Sequence, residues 1–222
     1  MEYTPDFSKY TYEELLDAKA HIDRQAYPDR YETIIKLLDD PCHKQNFEKD
    51  LTERLDTKYS TFWPRFWAAL IDGLLFAVIL YIECLLFGVE YDSRDRFLQA
   101  LNGLQFSLYA IVMHGMFGQT LGKMITQVKV LNNETEDKIN LLQALRRESV
   151  SLALNASWVI MLITIATIYE MTGSIPEGLA YGVIAFGIIA LIWGISEFIT
   201  MLFNKKRRAL HDFIGKTVVV RI

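Results

Sequence analysis

The stretch TFWPRFWAALIDGLLFAVILYIECLLF (61–87) decides the fold. From Phe62 onward, a helix rising about 1.5 Å per residue is long enough to cross a hydrocarbon core of ~30 Å. The stretch is apolar there except for Arg65, Asp72 and Glu83. At about 100° per residue, Arg65 to Asp72 is a rotation of about 700° and Arg65 to Glu83 about 1800°, so the three project from nearly one line. A charge near the bilayer centre costs at least ~2.5–3.5 kcal/mol on insertion scales, so that line should face protein or water rather than lipid. The reading is a polar seam inside a bundle of transmembrane helices.

Three further apolar windows, 97–117, 150–169 and 179–203, follow in a chain of 222 residues that is 51% hydrophobic. The expected fold is an all-α membrane protein. Four transmembrane helices (62–87, 97–117, 150–169, 179–203) make up residues 61–222, with a small helical cytoplasmic module at 1–60 and a short cytoplasmic β pairing. The second window is the most polar, with Gln99, Asn102 and Gln105. No apolar run before residue 61 suits a cleavable signal, so the first span is expected to direct insertion. Lysines and arginines crowd the middle loop (Lys123, Lys129, Lys138, Arg146, Arg147) and the tail (Lys205, Lys206, Arg207, Arg208, Lys216, Arg221). The loop 88–96 has only Arg94 and Arg96, and 170–178 has no basic residue, which places both termini and the middle loop in the cytoplasm. A net charge of −4 offers no basic surface for nucleic acid. Cys42 and Cys84 are too few for a disulfide framework and read as reduced thiols.

In the N-terminal module, Thr11 and Glu14 fit a capping box, and Leu15, Leu16, Ala18 and Ile22 give an apolar face to a helix ending near Arg24. Pro28 suits a first helical position, and Tyr31, Ile34, Ile35 and Leu38 line a second helix that stops at Asp39, Asp40 and Pro41. Phe47, Leu51 and Leu55, at steps of four, line a third. The module reads as a solvated helical hairpin or adaptor, with an ordered surface for a protein partner as the alternative.

Within the spans, Arg65 can snorkel to the interface. Asp72 lies ~10 Å deeper and, being short, needs a buried partner. Glu83 lies near the outer end, beside Gln99, Asn102 and Gln105, and His114 arrives at the cytoplasmic rim. Asn155, five residues into the third span, is close enough in depth to meet Asp72. Gly187, Ala190 and Gly194 form a small-residue stripe leading to Glu197, and a charge pair between Glu197 and Arg65 is expected from their depths. In the middle loop, Gly118, Gly122 and Lys123 suggest a phosphate-binding loop. That motif, however, needs glycine at Phe117 and Ser or Thr at Met124. Tight turns explain the glycines better. The alternating segments 127–130 and 216–222 read as two strands that pair, and 139–147 as an amphipathic helix whose Arg146 and Arg147 sit at the headgroups, where they attract anionic lipid.

Three segments, FWPRFWAALIDGLLF, FGQTLGKMITQVKVL and RRALHDFIGKTVVV, resemble the RDD family of bacterial membrane proteins. The resemblance covers about residue 61 to the C terminus and maps the family's arginine and two aspartates onto Arg65, Asp72 and Asp212. It implies a multi-pass protein of the bacterial inner membrane, and a link in some members to exchange of monovalent cations for protons. Asp72, with Glu197, Glu83 and Asn155, is then the candidate ion-binding set, since a buried carboxylate beside an arginine titrates near neutrality. Four spans are few for alternating access, which implies a homo-oligomer. The rival reading is a non-transporting scaffold, assembly factor or sensor in which the Arg/Asp set is structural. No metal-ligand spacing, nucleophile setting or cofactor loop is visible, so neither an enzyme nor a cofactor is expected.

Overall fold

A computed structural model describes residues 5–222; residues 1–4 of the expected module lie outside the described residues. The chain divides into two units, 1–57 and 58–222.

In the first unit, α1 (Tyr12–His21) opens on the expected capping box, in which Thr11 and Glu14 satisfy each other's backbone amides. It ends at His21, short of Arg24, because Asp23 accepts hydrogen bonds from the Gln25 and Ala26 amides and turns the chain. Pro28 starts α2 (Pro28–Asp39). Leu15, Ile34 and Leu38 make a small core, joined by Ala18 and Ile22, whereas Leu16 faces outward. In α3 (Pro41–Tyr59), Phe47 stacks on Tyr12, but Leu51 and Leu55 stay exposed.

The second unit begins where Tyr59 packs against the strands. α4 (Phe62–Phe87) ends on Gly88 in the left-handed region, and α5 (Arg96–Phe117) ends on Gly118 in the same way. A five-residue helix, α6 (Leu121–Ile125), leads into β1 (Val128–Asn132). Next come α7 (Leu141–Thr172), α8 (Glu177–Leu202), α9 (Leu210–Ile214) and β2 (Thr217–Arg221). The expected pairing of middle loop and tail is present: β1 and β2 are antiparallel, with Val130 opposite Val219. Side chains alternate across this ribbon. Val128, Val130 and Val219 join Ile139 and Ala144 on one face, and Val218 and Val220 pack on Tyr59 on the other. Tyr59 also donates to Glu136 at 2.6 Å, and Lys58 pairs with the same carboxylate, so the approach to α4 is fastened to the β1–α7 loop. These two partners hold the Glu136 carboxyl below its ordinary range.

The expected amphipathic segment 139–147 becomes helical only from Leu141, because Asn140 caps it, and from there it runs into the third window as one continuous helix, α7. The sequence RRESVSLAL between them contains no glycine or proline to break it, so helix propensity carries the turns through. Three helices, α4, α7 and α8, are long and apolar enough to cross a membrane. The fourth expected span, α5, forms as a helix of 22 residues, but Arg96, Gln99, Asn102, Gln105 and His114 leave it short of that apolar content. The outward faces of α7 and α8 carry exposed Ile160, Ile163, Ile188 and Ile192, suited to contact with hydrocarbon.

Candidate functional site

The buried face of α4 runs Arg65, Ala68, Asp72, Phe76, Leu80 and Cys84, at steps of three and four. Arg65 and Asp72 therefore point inward as the seam predicts. Glu83 lies one position off that line and is half-buried, accepting from the Gln105 amide at 3.0 Å.

Asp72 meets the middle loop. Its Oδ2 accepts from the Thr120 hydroxyl at 2.5 Å, and its Oδ1 from the Gly122 amide at 2.8 Å and the Tyr109 hydroxyl at 3.2 Å. Tyr109 in turn accepts from the Leu121 amide at 2.7 Å. Gly122 is forced at this place: a Cβ there would stand 2.2 Å from the Ala68 carbonyl oxygen. Only a bare backbone lets α6 lie close enough to α4 for Asp72 to take its amide.

Asp212 gathers the rest. It is fully buried in α9, whose short helix it caps by accepting from the Ala209 amide at 2.8 Å. Arg65 donates to its Oδ2 at 2.8 Å, and Arg147 of α7 donates to its Oδ1, which also receives the Thr217 hydroxyl at 3.3 Å. Burial pushes the Asp212 carboxyl up, but the charges of Arg147 and Arg65 hold it well below the usual range. Arg147 was expected at the headgroups. It is instead 2% exposed, because one step of about 100° along α7 turns it inward while Arg146 faces out.

His211 bridges the two halves. Arg65 and Arg147 approach its Nε2 at 3.2 and 2.6 Å, and a guanidinium can only donate, so Nε2 accepts and the ring proton sits on Nδ1. There it pairs with Glu197, whose Oε1 also takes the His211 amide at 3.1 Å. The expected Glu197–Arg65 pair is thus replaced by a chain through His211, because the tail folds back between α4 and α8. Asn155 does not meet Asp72 either. It donates to the Gly103 carbonyl at 3.1 Å and the Ser107 hydroxyl at 2.9 Å, joining α7 to α5.

A cavity of about 270 Å³ lies among these groups, lined by Asp72, Glu197, Lys123, His114, Glu148 and His211 together with Phe66, Phe106 and Trp193. Glu83 and Asn155 do not line it. Lys123 is half-buried and donates to His114 Nε2 at 2.6 Å, and the opposite ring nitrogen faces Glu148 at 3.2 Å. Among the described residues, no group of three or more His, Cys, Asp or Glu side chains is placed to hold a metal. His114, Lys123, Glu148 and Arg147 were not marked as site residues by sequence reasoning.

Burial, and then the charge of Arg147, pull the Lys123 ammonium from 10.5 down to about 7. Between those values the unfolded chain holds a proton that the folded chain has released, so stability should rise with pH across that window, while below it the penalty is complete. Subtracting the melting-temperature profile of Lys123→Met from that of the wild type is expected to leave a rise from pH 7 to 10. A flat difference would rule out a depressed lysine.

Residues 59–216, which include Arg65, Asp72, Gly122 and Asp212, match the RDD family. The chain belongs to the RDD family. It is also similar to an uncharacterized membrane protein, YteJ, of Bacillus subtilis strain 168, with 30% identity over 123 residues, covering 50% of this chain and 72% of the relative. No solved structure matches. The RDD match begins at Tyr59, the residue that fastens the start of the second unit to its strands, and leaves the whole of the N-terminal unit outside.

Proposed function

We propose that this RDD protein is a non-enzymatic, multi-pass component of a bacterial cell membrane, in which Arg65, Asp72 and Asp212 act as a clamp. The single observation that supports this most is that both aspartates are spent on protein donors. Asp72 receives Thr120, Gly122 and Tyr109; Asp212 receives Arg65, Arg147, Ala209 and Thr217. An ion would have to displace three or more hydrogen bonds at either residue. In this reading α5 completes a four-span bundle, since it packs along α7 and buries Ala100, Ser107, Ala110 and Ile111. The basic middle loop and tail, both termini and the helical module then lie in the cytoplasm, where the module offers a surface to a protein partner.

A second reading, exchange of a monovalent cation for protons by a homo-oligomer, is favoured by one feature. Asp72 and Glu197 share the 270 Å³ cavity with Lys123 and His114. Vesicles reconstituted with wild type and with Asp72→Asn separate the two. The clamp predicts no cation-driven proton flux in the wild type and a lower melting temperature in the variant. Wild-type exchange that disappears in a variant of unchanged melting temperature would establish transport instead.

A further inference from the structure

A second cavity, of about 590 Å³, opens between α7 and α8 and has Ser151 in common with the lining of the first. Its walls are Leu154, Trp158, Val183, Phe186 and Ala190, with Gly187 on the α8 side. Trp158 and Phe186 stack across it with ring centres 5.5 Å apart. Gly187 leaves open space, since a Cβ there would meet nothing within 4 Å. The only charge on the lining is Arg96, which opens α5 at the end opposite His114. Arg96 is exposed and makes no hydrogen bond or ion pair with any described residue.

The cleft runs from Arg96 past Asn155, which is tied to Gly103 and Ser107, a depth of roughly 10–16 Å along α5 by helical rise. Both donor bonds of the Asn155 amide nitrogen are spent on those two partners, which leaves its Oδ1 and the Ser151 hydroxyl as the uncharged polar groups on a lining that is otherwise apolar. An apolar slot with one unpaired cation at its mouth matches a molecule with a hydrocarbon chain and an anionic head. A cylinder ~10 Å across and of that length takes about 790–1,260 Å³, more than the 590 Å³ cleft holds, so a neighbouring helix would lie over its mouth rather than enter it.

We propose that this cleft seats one membrane lipid, its acyl chain along Trp158 and Phe186 and its headgroup phosphate on Arg96. The proposal rests on the four-span reading, which brings Arg96 to a membrane surface and the cleft into the hydrocarbon.

The test uses the full chain in phosphatidylcholine vesicles doped with photoactivatable analogues, carrying a diazirine near the chain end, of phosphatidylglycerol or phosphatidylcholine. Labelled peptides are mapped by mass spectrometry. Trp158 and Phe186 are expected to label above the lipid-facing Ile188 and Ile192. Gly187→Leu, whose Cβ meets nothing within 4 Å and whose branched end projects into the slot, should bring them down to that background. Arg96→Gln, a change at an exposed rim that does not threaten folding, should reduce the preference for phosphatidylglycerol over phosphatidylcholine about fivefold, because only the former presents its phosphate to Arg96 without a compensating choline cation. Labelling of Ile188 and Ile192 without Trp158 and Phe186, indifference to Gly187→Leu, or cross-links between two copies through this cleft would each overturn the lipid seat. Absence of labelling anywhere on α8 would overturn the span as well.

Discussion

Asp212→Ala is expected to lower stability by ~3–5 kcal/mol, the largest effect of any single substitution in the clamp. The reason is what it leaves behind. Arg65 and Arg147, 8% and 2% exposed, would keep their charges after losing the carboxylate that both share. Arg147 would retain Glu148, but Arg65 would be left with the Arg207 carbonyl and the His211 ring. Desolvating a charge without a partner is the costly half of a buried ion pair. The attraction itself mostly offsets the cost of burial, so the intact clamp is better regarded as fixing geometry than as a large source of stability. Two measurements check this. Thermal unfolding of Asp212→Ala should show the loss, and a double-mutant cycle with Arg65→Met should recover part of it, because removing the stranded charge removes the penalty. Strict additivity of the two changes would contradict a shared buried pair.

Gly122→Ala is the second large effect, from a substitution that adds one methyl group. With its Cβ 2.2 Å from the Ala68 carbonyl oxygen, the side chain meets backbone rather than a movable side chain. Overpacking of this kind costs ~1–3 kcal/mol. If α6 backs away to relieve it, the Gly122 amide leaves Asp72, which forfeits a charge-assisted bond of ~1.5–3 kcal/mol. Gly194→Ala supplies the comparison. That position has open space around it, and alanine is the better helix former by ~1 kcal/mol, so the melting temperature should hold or rise. If the two variants unfold at the same temperature, the close approach of α6 to α4 is not structurally important.

Much of the architecture is legible in the chain because its signals are local. A carboxylate and a guanidinium seven residues apart in an apolar run require an inward seam, and alternating valines after a glycine loop require strands. The identity of each partner is not local. Thr120, Gly122 and Tyr109 lie 37–50 residues from Asp72, and nothing in a span says which turn of which loop will reach it. Depth matching brought Arg65 and Glu197 to the same layer but could not foresee His211 standing between them, since that depends on the tail folding back. Arg147 was obscured by its neighbour: two consecutive arginines look alike in composition, and only the continuation of α7 as one helix fixes which of them turns inward. Leu51 and Leu55 show the opposite failure, an apolar spacing in α3 that stays exposed instead of joining the core of the module.

The unbroken run of α7 has a mechanical meaning. Its 32 residues extend ~48 Å, well beyond a hydrocarbon layer of ~30 Å, so a rigid rod carries Arg147 out to the chain's tail. A thinner bilayer that tilts such a rod moves its far end sideways, and at that end sits a guanidinium sharing one carboxylate with another from α4. With no glycine or proline between residues 141 and 172 to absorb the motion, a change of tilt at the membrane end of such a rod would be carried to its grip on the tail.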